Sequence, residues 1–194
     1  FALGIVLMIL GIFSLLEFFN ISLKIFKKKR LKQLLSNLIF TIYIFSFCSY
    51  FFSISFFLHL KLILFLILIT CVASDIGGFI FGKIFKGPKL TKISPKKTYA
   101  GVFGGYFLSI IFSYILFNYS ELFTDQFFGE DEFIWVLIIS TVSQAGDIII
   151  SYFKRLSKIK DTGKLIPGHG GILDRIDGML FAFPFYFIFY LLFY

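Results

Sequence analysis

Six long apolar runs, separated by strongly charged loops, limit this chain to very few architectures. They lie near residues 1–19, 37–58, 62–82, 99–118, 133–153 and 176–194. About 20 apolar residues in helical conformation cross the hydrocarbon core of a bilayer. The runs are continuous in hydrophobicity rather than alternating, which excludes a transmembrane β-barrel. With 58% hydrophobic and only 15% charged residues, the composition is also that of no ordinary soluble domain. The expected fold is all-α: a polytopic helical integral membrane protein with about six transmembrane helices, forming a single membrane domain over 1–194. The first apolar run begins at Phe1 with no basic leader, so the chain is read as lacking an N-terminal piece.

Charge placement orients the helices. All lysines and arginines except Lys61 fall in three segments, 24–32, 83–97 and 154–175. The segment 119–132 carries Glu121, Asp125, Glu130, Asp131 and Glu132 with no basic residue. By the positive-inside rule the basic loops are cytoplasmic and the acidic loop is external. The net charge of +8 is therefore explained by topology and lipid contact, and no nucleic-acid partner is expected. The Lys27-Lys28-Lys29-Arg30 run reads as an orientation signal touching anionic lipid. Cys48 and Cys71 lie in apolar runs without metal or redox spacing and read as small buried hydrophobes. His59, beside Lys61 at an outer helix end, reads as structural.

Against this background the block Ser151–Asp177 stands out. It holds Lys154, Arg155, Lys158, Lys160, Lys164 and Arg175, the acids Asp161, Asp174 and Asp177, and the turn Gly168-His169-Gly170-Gly171. Cations, separated carboxylates and bare glycine backbone suit a polyphosphate and its metal ions. Two of the acids inside apolar runs lie at nearly the same depth. Asp75 precedes Lys83 by eight residues and Asp147 precedes Lys154 by seven, placing them about 12 and about 10 Å deep from the same face. Ionisable groups at such depth are functional candidates by default. Asp147, Ser151, Lys154 and Arg155 follow i, i+4, i+7, i+8 spacing and share one helix face. Asp174 and Asp177 share a face if the last helix has begun there. Asp147 and Asp174 are the pair assigned to metal. Gly82-Lys83 to Lys89 is not a phosphate-binding P-loop, because its spacing fails and no strand precedes it. Gly78-x-x-x-Gly82 and Gly101-x-x-x-Gly105 permit close helix approach, either within one chain or in a dimer.

The run Ser151-x-x-Lys154-Arg155, Lys160-Asp161, Pro167-Gly168-His169-Gly170-Gly171 and Asp174-Arg175-Ile176-Asp177 resembles the signature of the phosphatidate cytidylyltransferase (CDP-diglyceride synthase) family. Ser74-Asp75-Ile76-Gly77-Gly78 and Ser94-Pro95-Lys96-Lys97-Thr98 resemble the same family, with weaker support from Glu17-Phe18-Phe19. The resemblance implies CMP transfer from CTP to phosphatidate, giving CDP-diacylglycerol and pyrophosphate in phospholipid synthesis. It also implies Mg2+ dependence, a homodimer, further N-terminal helices and residence in a bacterial inner membrane with the active site facing the cytoplasm. On this reading 1–58 supplies N-terminal helices, and 62–194 is the catalytic core with cytoplasmic loops 83–98 and 154–175. Asp147, Asp174, Lys97, Lys154, Arg155 and Arg175 are catalytic candidates. Asp75, Ser94, Ser151, His169, Gly170, Gly171 and Asp177 are substrate-binding candidates. Two rivals predict different chemistry. A CTP-dependent polyprenol or dolichol kinase would transfer the γ-phosphate to an alcohol and need a base. A transporter would need polar groups reaching both faces, and the outer half of the chain offers no intramembrane acid.

Overall fold

The computed structural model describes residues 2–27, 29–91, 93–120, 130–163 and 170–193. Six helices follow in order: α1 (Ala2–Ile25), α2 (Arg30–Ile54), α3 (Leu58–Phe85), α4 (Tyr99–Ser120), α5 (Glu130–Leu156) and α6 (Leu173–Phe193). The all-helical expectation holds. Among the described residues five of the helices, α1 to α5, are long and apolar enough to cross a membrane. The sixth expected run lies within α6, which opens on Asp174, Arg175 and Asp177 before its apolar stretch. Several helices outrun their apolar cores: α2 begins at Arg30 rather than near 37, and α5 continues through Lys154 and Arg155. Lysine and arginine are good helix formers, and continuing the helix keeps each backbone amide bonded as the chain leaves the lipid.

The chain divides into two compact units. The first comprises Phe1–Phe57 and Ile149–Asp177. Here α1 and α2 form a hairpin through the basic turn, where Lys29 N donates to Phe26 O at 2.7 Å. Near that turn Ser22 Oγ donates to Asn37 Oδ1 at 2.6 Å, and the Phe18 and Phe40 rings stack at 3.8 Å. Phe18 also meets the edge of Phe153 on the last turns of α5.

The second unit comprises Leu58–Ile148 and Gly178–Tyr194. Its defining contact is α3 against α4 along a seam of glycines. A Cβ on Gly77 would run into the Gly104 carbonyl, and one on Gly104 into Phe81. The glycine motifs thus serve helix packing within one chain. Backbones this close let short hydroxyls reach across. Thr70 and Ser113 share a hydrogen bond at 3.1 Å and Ser109 Oγ donates to Thr70 O at 3.0 Å, while Ser74 on α3 bonds Ser140 on α5 at 3.0 Å. Gln144 on α5 donates to Ser74 and Ser140. These are small-residue contacts of the kind that replace hydrophobic driving force inside lipid. An apolar cluster of Leu66, Phe117 and Val136 and the Trp135–Tyr186 ring pair complete this core. Cys71 is buried, Cys48 in the first unit is half-buried, and neither forms a disulfide.

The seam gives a sharp contrast between adjacent positions. Gly77→Ala should destabilise the detergent-solubilised protein by about 1–3 kcal/mol, the usual cost of overpacking. Gly78→Ala, whose Cβ would lie 3.7 Å from the Gly101 carbonyl, should change the melting temperature little. Equal effects of the two substitutions would contradict the seam.

Candidate functional site

In the first unit the polar block folds back on itself through two carboxylates. Asp174 occupies the first turn of α6. Its Oδ1 accepts from Lys154 Nζ at 2.7 Å, and its Oδ2 accepts from the amides of Thr162 at 2.8 Å and Gly171 at 3.0 Å. The ion pair is well shielded, with side-chain exposures of 13% for Lys154 and 11% for Asp174. Burial pushes the Asp174 carboxyl upward. The Lys154 hydrogen bond, the two amides and the ammonium charge outweigh it and hold the group below the usual carboxylate range. Gly170 adopts φ +84°, and a Cβ there would also crowd Asp174 Oδ2. Gly171 leaves no room for a side chain against Thr162 and Glu17.

Glu17, on α1, is the residue that sequence reasoning undervalued. It is 3% exposed. Its Oε2 accepts from Thr162 Oγ1 at 2.6 Å and Leu173 N at 2.9 Å, and its Oε1 accepts from Ile172 N at 2.9 Å. The available signal was an acid in the middle of an apolar run, the criterion that did select Asp75 and Asp147.

In the second unit Lys97 Nζ donates to Asp147 Oδ2 at 2.6 Å, with side-chain exposures of 26% and 21%. The loop that delivers Lys97 is held on both sides. Leu90 N donates to Lys97 O and Lys97 N to Ser94 O, while Lys89 and Thr98 form an antiparallel bridge. Thr98 Oγ1 then accepts from Gly101 N and caps α4. Ser94 is a turn residue whose amide donates to Thr91 Oγ1. Asp75 lies on the exposed side of α3, next to the buried Ser74.

Thus Lys154 and Asp174 meet in one unit, as do Lys97 and Asp147 in the other. Ser151 and the exposed Arg155 continue the α5 face that carries Asp147, and α5 is helical throughout. Arg155 Nη1 donates to Ile159 O. The helix α6 has begun by Asp174, so Asp174 and the buried Asp177 do lie one turn apart on it; Arg175 is exposed. His169, Lys164, Pro167 and Gly168 lie outside the described residues, as does most of the acidic segment 119–132. Among the described residues no three His, Cys, Asp or Glu side chains gather in one place. Magnesium does not need such a cluster, since it binds through one or two carboxylates, waters and substrate phosphates. Asp147 and Asp174 are hard oxygen donors of the kind magnesium takes, but Asp147 already accepts from Lys97 and both Asp174 oxygens are bonded, so an ion at either would have to displace a lysine.

Long apolar helices with lysine–carboxylate pairs at their ends define an integral membrane protein of the helical class. More narrowly, the chain belongs to the cytidylyltransferase family, whose model matches residues 2–193. It is similar to the phosphatidate cytidylyltransferase of Staphylococcus epidermidis, 40% identical over 131 residues, covering 64% of this chain and 47% of that protein. The Haemophilus influenzae phosphatidate cytidylyltransferase is 36% identical over 137 residues, covering 68% and 46% of the two chains. That of Rickettsia typhi is 37% identical over 131 residues, covering 63% and 56%. The chain spans about half the length of the curated relatives it matches.

The Lys154–Asp174 pair predicts a coupling. Lys154→Met and Asp174→Asn should each destabilise the protein, and their double-mutant cycle should show about 1–3 kcal/mol of non-additivity. The Asp174 carboxyl is lowered in the folded state, so its contribution is complete above the unfolded value of about 3.9 and fades as pH falls through the lower folded value. Asp174→Asn should remove that part of the acid limb from the stability–pH profile. Additive losses and an unchanged acid limb would show that the pair is energetically idle.

Proposed function

We propose that the full protein is a phosphatidate cytidylyltransferase, transferring CMP from CTP to phosphatidate and releasing pyrophosphate. The observation that carries this reading is the pairing of Lys154 with Asp174 beside the Gly170-Gly171 turn, in a chain of the cytidylyltransferase family. Phosphatidate supplies its own nucleophile, a phosphate oxygen. This attacks the α-phosphorus of CTP, and the bond from that phosphorus to the bridging oxygen of the departing pyrophosphate breaks. No side chain has to be activated as a nucleophile, so the protein's work is to position and neutralise two polyanions.

The lysines do this while already ordered. Lys97 and Lys154 are each held by a carboxylate, so their ammonium groups are in place before a phosphate arrives and little side-chain freedom is lost. Arg155 and Arg175, exposed on α5 and α6, suit bidentate contact with phosphate oxygens. Asp75, Ser94, Ser151, His169 and Asp177 are proposed as substrate-contacting or orienting groups. Gly170 and Gly171, proposed as substrate-binding from the sequence, serve instead to let Asp174 and Glu17 approach the backbone. Asp147 and Asp174 are the carboxylates that would hold Mg2+, and the ion would supply charge neutralisation at the reacting phosphates. The reaction is proposed to face the cytoplasm, where the basic loops are expected and CTP is available. A homodimer in a bacterial inner membrane remains part of the same proposal.

The test uses full-length protein in detergent with phosphatidate, magnesium and CTP labelled at either the α or the γ phosphate. α-Label should enter the lipid phase, and Asp174→Asn and Asp147→Asn should each cut the rate at least about 100-fold, the scale of losing an electrostatic contact to the reacting group. Transfer of γ-label instead would establish a lipid kinase, and transfer of neither would reject both reactions.

A further inference from the structure

Glu17 has no part in the proposed chemistry, yet it is among the most deeply buried acids of the described chain. It sits in the apolar sequence Leu15-Leu16-Glu17-Phe18-Phe19, where a carboxyl group is costly unless its oxygens are bonded. Its three donors come from two places, Thr162 and the entry to α6 at Ile172 and Leu173. Gly163 and Gly171 lie directly against the carboxylate, and a Cβ at either would collide with it. The contact is built to fit one acid.

Those donors surround Asp174. Glu17 bonds the hydroxyl of Thr162 while Asp174 bonds its amide, and Glu17 bonds the amides of Ile172 and Leu173 while Asp174 bonds that of Gly171. The two carboxylates grip the same two backbone segments. The early amides of a helix have no partner within it and ordinarily attract anions. Here Glu17 takes the two that precede Asp174, so α6 cannot rotate or fray at its first turn without breaking bonds to α1.

We propose that Glu17 is a positioning residue for the transfer reaction. By pinning the entry of α6 to the segment around Thr162, it presents Asp174 and its Lys154 partner to the reacting phosphates in one orientation. The inference rests on the cytidylyltransferase reading but is separable from it. Glutamine cannot replace the carboxylate in full. Whichever way its amide lies, its NH2 faces the amide of Ile172 or of Leu173, and one donor loses its acceptor.

The experiment compares Glu17→Gln, Thr162→Val and their double mutant in the full-length protein. The readouts are kcat per folded molecule, KM for CTP and phosphatidate, and deuterium exchange. Glu17→Gln is expected to lower kcat about 10- to 100-fold with both KM values within about threefold. Exchange should rise in the peptide covering Ile172–Asp174 and stay unchanged in α3 and α4. Thr162→Val, which loses one hydroxyl, should show a smaller loss of kcat, and the double mutant should be no worse than Glu17→Gln. An unchanged kcat per folded molecule overturns the proposal. So do losses that multiply in the double mutant, or a loss confined to KM. If Glu17→Gln does not fold, Thr162→Val decides alone: unchanged kcat overturns the inference and a several-fold loss upholds it. Parent protein that transfers no α-label overturns the functional reading instead, whereas a fully active parent with an equally active Glu17→Gln overturns only this one.

Discussion

Inside lipid a polar side chain has no water to fall back on, so a buried hydroxyl, amide or carboxylate is stable there chiefly when another part of the protein answers it. The two units meet this demand differently. In the second, glycines remove bulk until backbones nearly touch, and serine and threonine hydroxyls bond across the gap. Glycine is a poor helix former, and its use here is repaid by the contacts it permits. In the first unit the groups to be satisfied are carboxylates, and the answer is backbone. The entry of α6 and the residues around Thr162 supply amides and a hydroxyl to Glu17 and Asp174.

The two lysine–carboxylate pairs follow from the same demand. Each sets an ammonium directly against a carboxylate oxygen. A pair is also close to electrically neutral. On the proposed reaction it would offer a cation on one side and an oxygen donor on the other to phosphates and a divalent ion. At an effective dielectric of about 20, unit charges 4 Å apart interact by about 4 kcal/mol. Exchanging one partner for another of the same sign is then a nearly balanced step, the behaviour wanted of groups that bind polyanions and must also release them.

Much of this was legible in the sequence, and the reason is periodicity. Continuous apolar runs announce helices, and the i, i+4, i+7, i+8 spacing put Asp147, Ser151, Lys154 and Arg155 on one face of a helix that does continue through Leu156. The glycine motifs announced close packing but left its partner open, because a small-residue stripe fits a neighbour in the same chain as well as one in a second copy. Helix ends were read short, since apolarity stops at the lipid boundary while the backbone's need for hydrogen bonds does not. Glu17 was visible only as part of the weak Glu17-Phe18-Phe19 match. Its partners are about 150 residues away along the chain, and no local spacing encodes a contact of that separation.

That long-range contact also bears on how phosphates are held. A helix entry next to Gly170 and Gly171 looks from sequence like a ready anion site, since such amides attract phosphate in many proteins. In this chain the amides of Gly171, Ile172 and Leu173 are all taken by the protein's own carboxylates. Glu17 and Asp174 thus occupy the place an anion would take. On the proposed function, phosphate recognition in the first unit would then fall to side chains, to Lys154 and to the exposed Arg155 and Arg175. A phosphate bound by side chains can be approached, turned and released as rotamers change, whereas one seated on a helix entry is fixed to the backbone. For a reaction in which one phosphate must reach another and a pyrophosphate must then leave, the first arrangement is the more useful, and committing the helix entry to internal carboxylates is what secures it.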